Sequence, residues 1–217
     1  MTATPSRPPR TLSRDERRTQ LIEATLATIA ECGYSRTTLT EVARRAGLSH
    51  GLVLFHFETK EKLLTETLDY LSEEYRQNWQ GALAAAGPAP EQRLAALIEA
   101  DFNPEICRSS RLYSWCAFWG ESQSRPLYQA RCGANDERYN RILEGICTEM
   151  NNLHGYTVDP VRAARLIRIT IEGTWLEMMT VADPYDVQEA KLTVWTCASS
   201  LYPRHFGAAG LYGQPAS

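Results

Sequence analysis

The sequence predicts an all-α protein of about nine helices. Apolar residues recur every three or four positions, as at Tyr139, Ile142, Leu143, Ile146, Met150 and Leu153. No segment alternates apolar and polar residues over the length of a strand. Prolines and capping residues divide the helical stretches, so we expect a three-helix N-terminal unit followed by a larger helical unit.

Composition is that of an ordinary globular protein, because 43% of the 217 residues are apolar and 23% are charged. No stretch approaches the roughly 20 apolar residues of a membrane-spanning helix. The N-terminus also lacks the apolar segment of a signal peptide. These features predict a cytoplasmic protein that does not associate with membranes.

Charge is unevenly distributed along the chain. Residues 1–64 hold ten Lys and Arg against seven Asp and Glu, whereas residues 65–217 hold thirteen against nineteen. A cationic front followed by an anionic body indicates that a polyanion would meet the N-terminal part only.

Six cysteines are scattered without a CxxC pair, and no histidine lies at metal-ligand spacing. The pattern predicts ordinary buried or half-buried thiols, with no metal and no cofactor. Cys107 and Cys116 flank one predicted helix, which leaves redox sensing open as an alternative.

The first elements can be placed from capping signals. Residues 1–13 are rich in Pro and Arg and predict a disordered arm. A helix opens at Ser13 or Arg14 and closes at Gly33. Its apolar positions recur at helical spacing, namely Leu21, Ile22, Leu26, Ile29 and Ala30.

Two short helices follow, separated by a very short break. Thr38 and Glu41 form a predicted capping box before "LTEVARRA", which Gly47 ends. Ser49 then caps "HGLVLFHF". The break at 46–48 is too short for antiparallel packing, so it forces the sharp angle of a helix-turn-helix.

The remaining helices are divided by capping residues and prolines. Thr59 caps the long segment "KEKLLTETLDYLSEEYRQNWQGALAAA", and "GPAP" separates it from a helix over Glu91 to Phe102. Later breaks occur at Pro104, Pro126, Asp159-Pro160 and Asp183-Pro184. Asp186 with Glu189 caps the last helix, which ends near Tyr202.

The second short helix is predicted to enter a DNA major groove, as the second helix of a helix-turn-helix does. We expect Leu48, Leu52, Val53 and Phe57 to pack inward. Four residues then remain for the groove, where imidazoles can bond base edges and a leucine can contact a thymine methyl group: His50, Gly51, Leu54 and His56. Residues with groups suited to phosphate oxygens are Thr38, Thr40, Arg44, Arg45, Ser49 and Lys60.

The segment "TTLTEVARRAGLSHGLVLFHFETKEKLL" resembles the N-terminal domain of TetR-family transcriptional regulators over Arg18 to Leu64. The resemblance implies a repressor that binds a palindromic double-stranded DNA operator as a homodimer. It implies a DNA-binding domain at 14–60 and a ligand-binding and dimerisation domain at 61–203. The Gly- and Ala-rich composition of 204–217 separately predicts a flexible tail. Positions that match the family's contacts are Thr38, Thr40, Ser49, His50, Gly51, His56 and Lys60. The family's frequent phosphate-binding Tyr is replaced by Leu54.

Arginines near the N-terminus suggest a further, sequence-independent DNA contact. A tail that follows the minor groove or the backbone would add salt-dependent affinity. The residues concerned are Arg7, Arg10, Arg14, Arg17 and Arg18.

Aromatic residues crowd the segment "FNPEICRSSRLYSWCAFWGESQSRPLY", and "TIEGTWLEMM" adds carboxylates further along. Aromatic faces beside carboxylates suit a small cationic effector, in particular a quaternary ammonium. The alternative is that these aromatic residues form core. Residues predicted to bind the effector are Trp115, Phe118, Trp119, Glu121, Tyr139, Glu172, Trp175 and Met179.

The stretches "AFWGESQSRPLYQ" and "EGTWLEMM" are similar to the C-terminal domain of the BetI-type branch, which is associated with choline and glycine-betaine metabolism. The resemblance makes choline a candidate effector. An unrelated ligand or thiol oxidation remains an alternative.

Dimerisation is expected from the last two helices, which would meet their symmetry mates in a four-helix interface. Residues predicted at this interface are Ile169, Gly173, Trp195 and Leu201. Two alternatives belong to other functional classes. Glu172, Glu177 and His154 offer acid-base groups for an enzyme, but no nucleophile elbow, metal spacing or phosphate loop accompanies them, so we predict no enzyme. A helical adaptor that does not bind DNA is the other alternative.

Overall fold

A computed structural model describes residues 12–120, 125–181 and 185–213. These residues form nine helices and one short β-hairpin, which confirms the predicted all-α class. The chain divides into two compact units, residues 1–67 and 68–217. In the described ranges, every helix is too short or too polar to cross a lipid bilayer.

The N-terminal unit contains three helices and the start of a fourth. They are α1 (Arg14–Cys32), α2 (Leu39–Ala46), α3 (His50–Phe57) and the first turns of α4 (Lys60–Ala85). Apolar positions at helical spacing on all four helices meet in one core. Its buried side chains include Leu21, Leu26, Ile29, Val42, Val53, Phe57, Leu63 and Leu64.

Helix starts in this unit are capped by hydroxyl side chains. Ser13 and Glu16 form a complete capping box, in which each side chain accepts from the other residue's backbone N–H. The Thr38 hydroxyl oxygen accepts from the Glu41 N–H at 3.2 Å. The Glu41 carboxylate accepts from Arg44 instead of reaching back to Thr38, so only the first half of the second predicted box is seen.

The C-terminal unit contains the rest of α4 and five further helices. They are α5 (Pro90–Asp101), α6 (Ser109–Gly120), α7 (Arg125–His154), α8 (Pro160–Thr180) and α9 (Val187–Leu201). Helix α8 packs against α7 on one side and α9 on another. Long apolar side chains from these helices form the core of the unit.

A β-hairpin follows α9. Strand β1 (Phe206–Gly207) pairs antiparallel with β2 (Gly210–Leu211). Phe206 is fully buried and stacks on Trp195 with ring centroids 5.8 Å apart. Residues 206–211 of the predicted flexible tail thus form a hairpin, because one buried aromatic residue anchors a segment whose composition is otherwise typical of a loop. Residues 214–217 lie outside the described ranges.

Candidate nucleic-acid interface and effector cavity

The turn between α2 and α3 has the geometry that the sequence predicted. Gly47 adopts a left-handed conformation with φ of 68°. Its N–H and the Leu48 N–H bond back to carbonyl groups at the end of α2, the latter to Ala43 at 2.9 Å. A side chain at position 47 would be strained in this conformation, so glycine keeps the angle between the two helices sharp.

The N-terminal end of α3 presents three exposed residues, Ser49, His50 and Gly51. The Ser49 hydroxyl oxygen accepts from the Leu52 N–H at 3.3 Å, and its own proton can donate to a phosphate. Apart from its chain neighbours and the backbone of its own helix, no described heavy atom lies within 4 Å of the position of a Cβ at Gly51. Packing within the protein therefore does not require glycine there, whereas close approach of another molecule would.

A second group of polar residues surrounds the N-terminal end of α2. Thr38 and Thr40 are exposed, and the first amides of the helix have no carbonyl partner within it. The Lys60 ammonium donates to the Ser35 carbonyl oxygen at 3.1 Å, which holds this cation near the loop before α2. Such a set of donors suits the phosphate backbone of a nucleic acid.

The predicted groove face of α3 needs one correction. His56 is buried, with 8% of its surface exposed, and Phe55 is 68% exposed instead. Arg18 donates to the His56 carbonyl oxygen at 2.6 Å. Helical spacing explains the exchange, because position 56 follows the inward residue Val53 by three positions. Leu54 remains partly exposed, and the outward Phe55 was missed because aromatic residues usually indicate core.

The two arginines of α2 predicted to bind phosphate both form ion pairs with carboxylates. Arg44 pairs with Glu41 and Arg45 pairs with Glu31. Exposed ion pairs of this kind contribute little stability, so a phosphate can replace the carboxylate. Three of the arginines predicted to add a sequence-independent DNA contact lie in α1: Arg14, Arg17 and Arg18. Arg7 and Arg10 lie outside the described residues.

In the C-terminal unit, most residues predicted to bind an effector lie in or beside an aromatic core. Four of them are buried, namely Trp115, Phe118, Tyr139 and Trp175. Three are half-buried, namely Trp119, Glu172 and Met179. Glu121 lies outside the described residues. The alternative prediction, that these aromatic residues form the core, therefore applies to the four buried side chains.

A buried polar network, which the sequence analysis did not find, lies at the centre of this core. Asp101 accepts from the hydroxyls of Tyr75 at 2.7 Å and Tyr139 at 2.6 Å. Arg168 donates to Tyr75 at 2.6 Å and lies 4.7 Å over the ring of Tyr139. Burial raises the pKa of the Asp101 carboxyl, while Arg168 and the two hydroxyls oppose that shift. The protein's own guanidinium thus occupies a cation-π position that a ligand was expected to fill.

A second group of rings lies beside this network. Trp115 and Trp119 are stacked with centroids 6.1 Å apart, and Tyr128 meets both rings edge-on. The Tyr128 hydroxyl donates to Asp136 at 2.7 Å. Burial raises the pKa of the Asp136 carboxyl, and the hydrogen bond from Tyr128 opposes that shift. Three rings next to a carboxylate could bind a small cation.

Asp136 also lines a cavity of about 320 Å³ between α7 and α8, together with Glu144 and Glu172. Arg165 and Arg168 complete its charged lining, so carboxylates outnumber guanidinium groups there. Ligand cavities are usually about 300–1,000 Å³ in volume. A separate cavity of about 1000 Å³ lies among α4, α5 and the start of α9, and the predicted effector residues in the described ranges are not part of its lining.

The predicted dimer residues differ in exposure. Ile169 is 57% exposed, and Gly173 is open to solvent on the same helix. Leu201 is half-buried. Trp195 is wrong as a partner contact, because it is buried against the hairpin. Exposed leucines on α8 and α9 that the sequence analysis did not single out are Leu166, Leu176 and Leu192.

Four of the six thiols lie in surroundings that disfavour the thiolate. Burial raises the pKa of the Cys107 thiol to about 12 and that of Cys132 to about 12. Burial also raises the pKa of Cys116 and of Cys147. Because the thiolate is the reactive form, these surroundings do not support the thiol-oxidation alternative at the Cys107 and Cys116 pair.

Comparison with known families gives matches in both units. The family model described as bacterial regulatory proteins, tetR family, matches residues 21–67. The model described as BetI-type transcriptional repressor, C-terminal, matches residues 90–201.

Curated relatives of this chain are named as BetI regulators. The HTH-type transcriptional regulator BetI of Burkholderia thailandensis is 33% identical over 183 residues, which cover 82% of this chain and 89% of the relative. The BetI regulator of Pectobacterium carotovorum is 32% identical and covers 80% of this chain and 88% of the relative.

Solved structures share the fold. A transcriptional regulator from Pseudomonas aeruginosa PAO1 has a TM-score of 0.71 and 24% identity, covering 88% of this chain and 93% of that chain. A transcriptional regulator from Saccharomonospora viridis in complex with choline has a TM-score of 0.69 and 19% identity, covering 83% and 94% respectively.

Proposed function

Since this chain belongs to the TetR family of bacterial regulators and carries a BetI-type C-terminal domain, we propose that it is a repressor whose operator binding is relieved by a small organic cation. The chain is a DNA-binding transcriptional regulator and not an enzyme. The proposed operator is palindromic because a two-fold dimer presents two copies of α3 to two half-sites. The proposal rests on the family and on the groups exposed at α2 and α3.

Direct contacts with bases are assigned to His50 and Phe55, which are exposed on α3. The imidazole can donate to or accept from a base edge, and the phenyl ring can pack against a thymine methyl group. Ser49, Thr38 and Lys60 supply phosphate contacts that fix the position of α3 without reading sequence. The open space around Gly51 lets the duplex approach the helix backbone.

The homodimer is assigned to one exposed apolar face of α8 and α9. Leu166, Ile169 and Leu176 recur at helical spacing on α8, and each is at least half exposed. Leu192 on α9 is 40% exposed, and Gly173 permits close approach of a second copy. An apolar face of this kind is expected to be covered by a partner, here a second copy of the chain.

The dimer can be tested by sedimentation or light scattering. Ile169→Glu places a charge on the proposed interface, so we expect a monomer that no longer shifts operator DNA. Leu153→Glu is the matched control, because Leu153 is 67% exposed and lies on α7, outside the two helices of the proposed interface. A dimeric Ile169→Glu protein would contradict the assignment.

The effector is assigned to the cavity of about 320 Å³ lined by Asp136, Glu144 and Glu172. Its carboxylates supply negative charge, and Tyr128 links Asp136 to the stacked rings of Trp115 and Trp119. The Arg168 guanidinium already donates to Glu172 at 2.7 Å and contacts the tyrosines of the core. The regulator from Saccharomonospora viridis that binds choline supports choline as the first cation to test.

Release of operator DNA by choline tests the proposal. The full chain is bound to DNA upstream of its own gene at fixed salt and titrated with choline. We expect release, together with a rise in Tm of the free protein. Asp136→Asn should weaken both responses, whereas Glu177→Gln, exposed on α8, should not. If choline leaves both the DNA complex and the Tm unchanged, the assignment of a choline-type effector fails.

A further inference from the structure

Glu91, His154 and His205 converge in the C-terminal unit, although they are far apart in sequence. Glu91 lies in the first turn of α5, His154 ends α7, and His205 precedes β1. The His154 Nε2 atom lies 3.2 Å from a Glu91 carboxylate oxygen. The two imidazole rings have centroids 4.1 Å apart. One potential ligand atom from each residue lies within 4.8 Å of the others, a combination not found elsewhere in the described part of the chain.

The neighbouring groups hold His205 in an orientation suited to a metal ligand. The Tyr156 hydroxyl lies 2.9 Å from His205 Nδ1 and accepts from the Arg204 backbone N–H at 3.0 Å. The same oxygen has a second lone pair that can accept from Nδ1–H, and that tautomer leaves the Nε2 lone pair available. Metal-bound histidines commonly donate their other ring N–H in this way.

The Arg204 guanidinium beside the cluster is held by contacts with other groups. The Arg204 guanidinium lies 4.4 Å over the Tyr156 ring and donates to the His154 carbonyl oxygen. All three candidate ligands are half-buried, so a metal ion could enter while solvent access is restricted. Two imidazoles and one carboxylate match the preferences of Zn²⁺ and similar divalent transition metals.

We propose that Glu91, His154 and His205 bind one divalent transition-metal ion of the Zn²⁺ type, with water completing the coordination. The ion joins the segment after α9 to the start of α5 and the end of α7. Because Phe206 follows His205 and stacks on Trp195, the same ion also holds the hairpin against α9. Metal binding at this site stabilises the folded C-terminal unit, and this stabilisation requires neither operator DNA nor effector.

Zinc titration of the full chain, freed of metal with a chelator, tests this site. Calorimetry should give one Zn²⁺ per chain, and Zn²⁺ should raise the Tm whereas Mg²⁺ should not. His154→Ala and His205→Ala should lose the Tm rise. The matched control is His50→Ala, which removes an exposed histidine from the N-terminal unit. The Tm of this variant should still rise with Zn²⁺.

Two further measurements separate the site from cysteine binding and from simple loss of fold. Bound Co²⁺ should show visible absorption without a thiolate band, because no cysteine belongs to the cluster. Tyr156→Phe should keep the stoichiometry while weakening Zn²⁺ binding roughly 10- to 100-fold. Equal Zn²⁺ affinity in the wild type, Glu91→Gln and His205→Ala, or a thiolate band with Co²⁺, would overturn the proposal.

Discussion

Arg18 on α1 donates to the carbonyl oxygen of His56 on α3 at 2.6 Å and brings a positive charge beside the buried imidazole. Burial, followed by the charges of Arg18 and neighbouring arginines, lowers the pKa of His56 below its usual value of 6.5. Above about pH 6.5 the imidazole is neutral in both the folded and the unfolded chain. As the pH falls below this value the unfolded chain takes up the proton first, so the free energy of unfolding decreases.

Replacement of His56 by Phe should therefore reduce the loss of stability at acid pH. Urea unfolding at pH 7.5 and 5.5 measures the change in each protein. His205, whose pKa burial also lowers, is present in both proteins, so its contribution cancels in the comparison. If His56→Phe loses as much free energy of unfolding between pH 7.5 and 5.5 as the wild type does, His56 is not responsible for the loss of stability at acid pH.

Asp101 is predicted to be the polar residue on which the C-terminal core most depends. Asp101→Ala leaves the hydroxyls of Tyr75 and Tyr139 without their acceptor and Arg168 without a buried countercharge. Removal of one partner from such a buried group costs roughly 3–5 kcal/mol. Chemical denaturation checks this figure, with the exposed Glu105→Ala as a control that should leave stability unchanged. A loss as small as that of the control would mean that the network is not stabilising.

Glu58 is the described non-glycine residue with positive φ, at 64° with ψ of −52°. The Thr59 N–H bonds the Phe57 carbonyl oxygen at 2.6 Å across it, which is a strained γ-turn. Glu58→Gly should raise the free energy of unfolding by about 1 kcal/mol because relief of strain exceeds the added freedom of the unfolded chain. The neighbouring helical change Glu61→Gly should lower it by about 1 kcal/mol. If both variants changed the free energy of unfolding in the same direction, the backbone at Glu58 would not be strained.

Gly51 should separate stability from DNA binding. Alanine at this helical position has open space, so Gly51→Ala should raise the free energy of unfolding by up to about 1 kcal/mol while weakening operator binding. Gly145→Ala in α7 is matched, because its Cβ position is equally open, and should raise stability without affecting DNA. Thermal unfolding and gel shift measure the two effects. Operator affinity equal to that of the wild type in Gly51→Ala would exclude close approach of DNA at this position.

Local signals were sufficient to predict the elements that carry the candidate DNA interface. The caps at Ser13 and Ser49 and the left-handed Gly47 depend on residues a few positions apart. Sites assembled from distant residues were missed for the same reason. Asp101 meets Arg168 through Tyr75, and Glu91 meets His205, only after several helices have packed together. The exchange of His56 and Phe55 between core and surface depends on a rotation of α3 that composition does not fix.

Operator binding by His50→Ala is the most direct measurement of the central claim that the exposed end of α3 reads DNA. Gel shift at fixed salt compares this variant with the wild type and with Gln77→Ala, an exposed change in the C-terminal unit. Loss of a base contact should weaken specific binding at least roughly fivefold while the dimer remains intact. The control should bind like the wild type. If His50→Ala binds the operator as tightly as the wild type, α3 does not read DNA through this residue and the account is contradicted.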